Sequence, residues 1–282
     1  MWCEGKPPGV TNGVFSLELA EREKSEGVAA GDGSFFLPGN PAREAVLLIH
    51  GTPGTAAEMR PLAGSLNRRG HSVLVPLLPG HGRGERALGM TRWEECRARA
   101  EECWRLARGV SSPHHRGAHL VGYSFGGFLS LLLAADSPPS ALVTLAAYVY
   151  PRSRAWHRPV RPALRLRARL GSPRWRWKVQ LADLAPRALA ALPRISCRAL
   201  VIHGEDDAVV SPESARAIYR GLASEDKALR LLPGRGHLLL AGEHRIPHAS
   251  GDGGGRECER EGEIELEVVE FLGREERASR PV

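Results

Sequence analysis

The sequence has no apolar run that approaches the roughly 20 residues needed to cross a bilayer. Its longest, "FLSLLLAA" at 128–135, is short and lies in the middle of the 282-residue chain. The N-terminus, "MWCEGKPPGVTNG", also lacks a basic start followed by an apolar segment, so we expect no secretory signal. These absences lead us to expect a cytoplasmic protein.

Cysteine is scarce, and its scatter argues against a disulfide framework. The chain has five cysteines, an odd and widely spaced set. A small number of unpaired cysteines is typical of a protein from a reducing compartment. Two of them lie seven residues apart on a predicted helix and therefore share a face, which favours a packing role. No metal-ligand spacing occurs, and we predict no metal and no cofactor. The cysteines are Cys3, Cys96, Cys103, Cys197 and Cys258.

What the sequence does contain is an alternation of short apolar runs with helix-length segments. The runs are continuous rather than alternating, which is typical of strands buried on both faces of a parallel sheet. Alternating strands and helices predict βαβ units with right-handed crossovers, and hence the α/β fold class. The predicted strands are 45–50, 72–78, 119–123, 141–147, 198–204 and 228–233.

The predicted helices carry recognisable start signals. Thr91 is a good N-cap with Glu94 three residues later, the spacing of a capping box. Ser211 is a second N-cap, followed by Pro212 at the first helical position. The predicted helices are 57–70, 91–109, 126–136, 211–223 and 263–275.

The alternation stops between residues 148 and 197, where Pro and Arg are frequent and no sheet-like run occurs. We interpret 148–197 as a helical cap inserted between two parts of one core, 31–147 and 198–282. Residues 1–30 are predicted to be loosely ordered, and the polar stretch 248–263 to face solvent.

A serine lies where a strand is predicted to turn into a helix, in "HLVGYSFGG". Ser124 has Gly122 two residues before it and Gly126 two residues after it. At such a turn the strand and helix backbones approach closely, so the neighbours must be small. The pattern predicts that the Ser124 hydroxyl projects from the carboxyl edge of the sheet, at the positive end of a helix dipole.

A serine nucleophile needs a base that is held by a third group. Three acids, Glu205, Asp206 and Asp207, follow the predicted strand 198–204 at the same edge of the sheet. His237 lies in a glycine-rich loop, "PGRGH", after the next strand. The order serine, acid, histidine is the order expected for a hydrolase of this architecture.

These motifs together resemble the α/β-hydrolase superfamily, and most closely its bacterial carboxylesterase and monoacylglycerol-lipase-like branch. The resemblance lies in "LLIHGTPGTAAEMRPLAGSLNRRGHSVLVPLLPGHG", "LVGYSFGG", "VIHGEDDAVV" and "PGRGH". It covers roughly residues 45–147 and 198–275. It implies an α/β-hydrolase fold, with a mostly parallel central sheet flanked by helices.

The resemblance also implies roles for individual residues. The family's acid stands three residues after the glycine of an "HG" pair, here Asp207, with Asp206 and Glu205 as adjacent alternatives. Backbone N–H groups of Thr52, in "HGTPG", and of Phe125 are the implied oxyanion donors. Two further histidines are interpreted as scaffold or pocket-edge residues, His50 and His81.

The implied activity is hydrolysis of carboxylic esters of short to medium acyl chains or monoacylglycerols, through an acyl-enzyme on Ser124, His237 and Asp207. Serine at position 124 argues against a haloalkane dehalogenase, whose nucleophile is a carboxylate. A thioesterase or C–C bond hydrolase on the same triad stays open, as does a non-catalytic binding protein on this scaffold.

The predicted cap is strongly basic. Residues 148–198 contain twelve arginines and one lysine against one acid, Asp183. Four explanations of this charge stay open: GC-rich coding bias, a solvated face, attraction of anionic substrates, and weak contact with a membrane or lipid surface through lipid headgroups. We predict no nucleic-acid partner, although "RLRARLGSPRWRWK" interleaves aromatic and basic residues. Three tryptophans are candidates to line an acyl-chain pocket, Trp156, Trp175 and Trp177. The oligomeric state is left open.

Overall fold

A computed structural model describes residues 21–110, 117–152, 173–182, 184–240 and 257–274. Within these ranges seven strands form one sheet, in the order β1-β3-β2-β4-β5-β6-β7. The strands are β1 (Phe35–Leu37), β2 (Ala45–Ile49), β3 (Val73–Val75), β4 (Ala118–Tyr123), β5 (Ala141–Leu145), β6 (Arg198–Gly204) and β7 (Lys227–Leu232).

The sheet is parallel except at one edge. From β3 to β7 each neighbouring pair is parallel, and β1 pairs antiparallel with β3. The six predicted strands all have counterparts, which confirms the α/β fold class. β1 was not predicted, because three half-buried residues are too short to form a recognisable pattern. The predicted strand at 72–78 is shorter in the structure, where β3 ends at Val75.

The helices connect these strands across both faces of the sheet. Residues 21–25 are also helical, and short 3₁₀ turns occupy Ala56–Met59 and Leu192–Arg194. Among the described residues no helix combines the length and apolarity needed to cross a membrane. The longer helices are α1 (Arg60–Arg68), α2 (Gly84–Met90), α3 (Trp93–Val110), α4 (Phe125–Asp136), α5 (Pro173–Ala182), α6 (Ala185–Ala191), α7 (Glu213–Gly221) and α8 (Glu257–Leu272).

The continuous apolar runs are explained by two cores, one on each face of the sheet. Leu47 and Ile49 of β2 pack into the core that contains α3, α4 and α6. Val46 and Leu48 of the same strand pack into the other core, with α1 and α8. Successive side chains of a strand point to opposite faces, so a strand covered on both faces needs no polar position.

The two cysteines of α3 are packing residues. Cys96 and Cys103 are fully buried in the first core. Burial raises the pKa of both thiols, that of Cys103 to about 12. Such thiols stay protonated and behave as small apolar groups.

The predicted capping box at the start of α3 is wrong by one residue: the residues that pair are Arg92 and Glu95, not Thr91 and Glu94. The Thr91 hydroxyl donates to the Ala87 carbonyl oxygen at 2.9 Å and so closes α2. The backbone N–H of Arg92 donates to the Glu95 carboxylate at 2.9 Å. Two helices meet here with little connecting chain, so the threonine serves the end of the first helix rather than the start of the second.

Parts of the two polar segments, 1–30 and 248–263, lie within the described ranges. In the segment 1–30, Glu23 is buried, and its carboxylate accepts hydrogen bonds from the N–H and hydroxyl of Ser34, at 2.7 and 2.5 Å. Glu23 and Val28 are buried, whereas the other eight residues of 21–30 are exposed. In the stretch 248–263, residues from Glu257 onward belong to α8. The remaining residues of both segments lie outside the described ranges.

The predicted cap is described only in part. α5 and α6 lie between β5 and β6 in the chain, and α5 packs against α2. Residues 153–172, which include Trp156, and Asp183 lie outside the described ranges, as do the side chains of Arg174 and Trp175. The assignment of 148–197 as a separate cap stays a prediction.

Candidate active site

Ser124 lies at the turn between β4 and α4, in a conformation that L-residues rarely adopt. Its backbone φ is 53° and ψ is −114°, a conformation that costs about 1–3 kcal/mol. The Ser124 N–H donates to the Leu145 carbonyl oxygen at 2.8 Å, which helps to hold the turn. The predicted strand-to-helix elbow is thus present.

The glycines around Ser124 are required by close backbone approaches. A Cβ at Gly126 would lie 2.1 Å from the Ile49 carbonyl oxygen and 2.6 Å from that of His50. A Cβ at Gly122 would lie 2.4 Å from the Gly126 carbonyl oxygen. These distances are far below van der Waals contact, so only glycine allows α4 to begin directly against β2 and β4.

The structure brings together Ser124, His237 and Asp207. Ser124 Oγ lies 3.0 Å from His237 Nε2, and His237 Nδ1 lies 2.7 Å from Asp207 Oδ2. The carboxylate accepts the Nδ1 hydrogen, which leaves Nε2 free to accept the hydrogen of the serine hydroxyl. This is the geometry in which a histidine can remove a proton from a serine.

Of the three candidate acids, Asp207 is the one that contacts His237. Asp207 is fully buried, whereas Asp206 and Glu205 are exposed. Its Oδ1 accepts the N–H groups of Val209 and Val210, each at 2.8 Å. Burial alone would raise the pKa of this carboxyl, but hydrogen bonds from His203, His237 and the Val210 N–H hold the Asp207 pKa below its ordinary value. It is therefore ionised at neutral pH.

The loop that carries His237 is braced from two sides. The Tyr123 hydroxyl donates to the His237 carbonyl oxygen at 3.0 Å. The Asp206 N–H donates to the Arg235 carbonyl oxygen, also at 3.0 Å. A Cβ at Gly204 would lie 2.3 Å from that same Arg235 oxygen, so the loop packs directly on the end of β6. Residues 241–256, which follow this loop, lie outside the described ranges.

The turn "HGTPG" lies beside Ser124. A Cβ at Gly51 would be 3.1 Å from the Ser124 Cβ. The Thr52 hydroxyl lies 3.0 Å from His81 Nε2, which accepts its hydrogen. Phe125, the other predicted oxyanion donor, is the first residue of α4. The role of the Thr52 and Phe125 N–H groups stays a prediction.

His50 and His81 support this turn as neutral side chains. His50 Nδ1 donates to the Gly51 carbonyl oxygen at 2.7 Å, and His50 Nε2 accepts the Leu78 N–H at 3.0 Å. Burial, with a smaller effect from His81, lowers the pKa of His50 to about 3. Burial lowers that of His81 to about 4. These contacts fit the scaffold role predicted from the sequence.

Three further side chains lie near the site: Glu58 and His203, whose contacts sequence reasoning missed, and Trp177, which it named as a candidate pocket residue. Glu58 lies against the turn, since a Cβ at Gly54 would overlap its carboxylate. Trp177 of α5 is buried and packs edge-to-face on Phe125 and His81, with ring centroids 5.3 and 5.8 Å apart. His203 contacts Asp207. His203 belongs to the quoted motif "VIHGEDDAVV", so the sequence shows that it is near Asp207 in the chain, but it does not predict that the two side chains touch.

The fold and this constellation define a class of protein, and the comparison with known families agrees. The residue pattern of the alpha/beta hydrolase family matches residues 46–245. The chain belongs to the alpha/beta hydrolase family, as the sequence resemblance predicted.

Individual relatives narrow the comparison. The chain is 29% identical over 219 residues to a thermostable monoacylglycerol lipase of Bacillus sp. (strain H-257), covering 72% of this chain and 85% of that protein. It is 25% identical over 219 residues to a carboxylesterase of Bacillus subtilis (strain 168), covering 72% and 87%. These names agree with the predicted branch of the superfamily.

Solved structures support the fold. The structure superimposes with a TM-score of 0.70 on one of two metagenome-derived lipolytic enzymes, LipS and LipT, covering 87% of this chain and 98% of that chain at 21% identity. At this identity the likeness establishes the fold alone. The predicted α/β-hydrolase fold is confirmed.

Proposed function

We propose that the protein is a serine hydrolase that cleaves carboxylic esters of short to medium acyl chains or monoacylglycerols. The observation that carries the proposal is the hydrogen-bonded series Ser124, His237 and Asp207, at 3.0 and 2.7 Å. The similarity to a monoacylglycerol lipase and a carboxylesterase supports the ester as substrate.

In the first step His237 Nε2 takes the proton of the Ser124 hydroxyl as its oxygen attacks the ester carbonyl carbon. Asp207 stabilises the imidazolium that forms and keeps its Nδ1 hydrogen directed at the carboxylate. The N–H groups of Thr52 and Phe125 stabilise the negative oxygen of the tetrahedral intermediate, each contributing about 2.7–4 kcal/mol. The imidazolium then protonates the leaving alcohol, and the acyl group remains on Ser124.

In the second step a water molecule replaces the alcohol. His237 takes one of its protons, and the resulting hydroxide attacks the acyl-enzyme carbonyl. Collapse of this second intermediate returns the proton to Ser124 and releases the carboxylic acid. The strained Ser124 backbone keeps the hydroxyl at the same place through both steps.

The residue after the proposed nucleophile has an apolar environment, which supports an ester with an apolar acyl chain as substrate. Trp177 packs edge-to-face on Phe125, and both rings are buried. Residues 153–172 precede α5 and lie outside the described ranges, so chain length is left to experiment.

The test is hydrolysis of p-nitrophenyl esters from acetyl to palmitoyl by the wild type and by Ser124→Ala. We expect kcat to fall by about 10⁴-fold or more in the variant, because the nucleophile is lost. Ser130→Ala is the matched control, since Ser130 lies on the same helix and its hydroxyl donates to the Gly126 carbonyl oxygen. Its activity is expected to stay within about threefold of the wild type, the effect of one lost hydrogen bond.

Two results of this experiment would contradict the proposal. Folded wild-type protein that turns over no ester of the series would contradict the proposal and direct attention to thioesters or C–C substrates. Equal loss in Ser124→Ala and Ser130→Ala would contradict the assignment of the nucleophile, because packing of α4 would then explain both.

A further inference from the structure

A second histidine contacts the carboxylate of Asp207. His203 lies near the end of β6 and is fully buried. Its Nε2 lies 3.1 Å from Asp207 Oδ2, the same oxygen that accepts the 2.7 Å hydrogen bond from His237 Nδ1. Two imidazole rings therefore meet at one oxygen of the proposed catalytic acid.

The neighbours of His203 determine where its ring hydrogen lies. Besides the Asp207 oxygen, Nε2 lies 3.3 Å from the Val210 carbonyl oxygen. Both neighbours are acceptors, and a bare Nε2 would face their lone pairs in a buried place. Nε2 therefore carries a hydrogen and donates it. Nδ1 has no hydrogen-bond partner among the described residues, so a second ring hydrogen would have no acceptor.

The buried acid needs this donor. Burial by itself favours the neutral carboxyl, and each donor on its oxygens favours the carboxylate instead. Oδ1 is already occupied by the N–H groups of Val209 and Val210. On Oδ2, His203 supplies a hydrogen bond that does not depend on the state of His237. Asp207 thus stays ionised and in place while His237 gains and loses its proton.

We propose that His203 is a positioning residue, whose Nε2–H fixes the orientation and charge of the Asp207 carboxylate and thereby the ring of His237. The inference rests on the proposed function of Ser124, His237 and Asp207. His203 acts through Asp207 rather than on the substrate.

Other ionisable groups face this cluster and are kept unchanged in the test. The Tyr123 hydroxyl donates to the His237 carbonyl oxygen, and burial raises its pKa, so it stays neutral. The Arg152 guanidinium donates to the carbonyl oxygens of Asp207 and Glu205, at 3.1 and 3.4 Å. Asp206 and Glu205 are exposed on the same loop.

The test compares His203→Gln with His203→Met. Glutamine places an amide N–H close to the position of Nε2, and methionine has a similar length without a donor. Thermal unfolding first establishes that both variants fold, with His203→Leu replacing the methionine variant if that one does not. The readouts are kcat/KM for a p-nitrophenyl ester against pH and ¹⁵N-histidine NMR titration of His237.

We expect the acidic limb of kcat/KM to move up by about half a pH unit in His203→Met, because more negative charge on Oδ2 holds the protons of the Asp207–His237 pair more tightly. At pH 7 kcat/KM should fall about tenfold, the effect of losing a hydrogen bond to a charged group. In the NMR titration the apparent pKa of His237 should rise in the same variant. His203→Gln should match the wild type in each readout.

Two outcomes would overturn the inference. An acidic limb and NMR pKa that stay at the wild-type values in His203→Met would leave His203 with a packing role only. Equal shifts in the Met and Gln variants would show that ring shape, not the N–H, matters. If the wild type hydrolyses no ester, the proposed function fails, while the NMR titration still decides the role of His203.

Discussion

At the scale of single residues, the proposed chemistry depends on which groups are buried with a partner. Asp207 is buried with four donors on its two oxygens, from Val209, Val210, His203 and His237. Asp206 and Glu205, its chain neighbours, are exposed. Three adjacent acids of similar chemistry thus become one buried carboxylate in contact with His237 and two exposed side chains.

Glu58 shows the opposite balance. Burial raises its pKa to about 7, opposed by a hydrogen bond from the Gly51 N–H and reinforced by the nearby charge of Asp32. One of its carboxylate oxygens is buried without a hydrogen-bond partner among the described residues. The carboxyl group therefore takes up a proton near neutral pH while it lies against the turn that carries Thr52.

This raised pKa makes stability depend on pH. The folded state holds the Glu58 proton up to about pH 7, whereas the ordinary glutamate pKa of 4.5 applies to the unfolded chain. The stabilising contribution of Glu58 is complete below pH 4.5 and is lost as the pH rises to 7. Relative to Glu58→Gln, the wild type should therefore lose free energy of unfolding between pH 5 and pH 8. Urea unfolding at several pH values measures this difference.

A surface variant provides the control for Glu58. Glu94→Gln replaces an exposed carboxylate and should follow the wild-type pH dependence. A wild-type curve parallel to that of Glu58→Gln would contradict the raised pKa.

At the scale of elements, the site depends on how closely α4 approaches the strands beside it. Because Gly122 and Gly126 have no side chain, the backbones of α4, β2 and β4 can touch directly. The N-terminus of α4 then points at Ser124. The spacing of the glycines around Ser124 predicted the close approach of strand and helix, because β4 and α4 are adjacent in the chain. The distances to Ile49 and His50 are non-local and came only from the structure.

Gly126→Ala should therefore be severely destabilising. The added Cβ would meet backbone oxygens at 2.1 and 2.6 Å, which a side-chain movement cannot relieve. We expect a loss of about 3 kcal/mol or more in the free energy of unfolding, as for other strongly overpacked sites. Thermal or urea unfolding of the purified variant measures it.

Gly109→Ala is the matched control on α3. Gly109 is exposed, and an added Cβ there would have nothing within 4 Å. Alanine should stabilise this helix by about 0.5–1 kcal/mol, because glycine loses more backbone entropy on folding. Similar losses in both variants would contradict the close-approach explanation.

At the scale of the whole molecule, the interior holds several neutral histidines. Burial lowers the pKa of His50 and His119 to about 3 and that of His81 to about 4. His50 and His81 lie beside the site. His119 lies on β4, and its Nε2 is 3.2 Å from a carboxylate oxygen of Glu44. A buried neutral histidine binds its proton in the unfolded chain before it does so in the folded protein.

Acid should therefore unfold the protein cooperatively. Each of these histidines has a lower pKa folded than unfolded, so stability is lost as the pH falls below 6.5. Glu58 opposes this by about one proton, and the net uptake on unfolding near pH 5.5 should be about two protons. The slope of the unfolding free energy against pH between 5 and 6 measures this number. A flat or rising stability toward acid would contradict it.

The parts of the fold that the sequence predicted are those marked by patterns of neighbouring residues in the chain. Continuous apolar runs identified six of the seven strands, and the glycine spacing identified Ser124. β1 was missed because it is three half-buried residues at an edge, and α2 because it is seven residues without a capping signal. The cap of α3 was misplaced because Thr91 serves the preceding helix.

By itself, the sequence determined the fold class, the family and the identity of the candidate nucleophile and base, since each depends on residues close together in the chain. The resemblance implied Asp207 as the acid, and the tertiary structure showed that it, rather than Asp206 or Glu205, contacts His237 and that His203 contacts the same carboxylate. It also revealed that Glu58 lies against the turn beside Ser124 and that Trp177, one of the three candidate pocket tryptophans, packs on Phe125. These facts depend on the meeting of β4, β6, the 3₁₀ turn Ala56–Met59 and α5 at one edge of the sheet, where burial and long-range contact set the charge of each group.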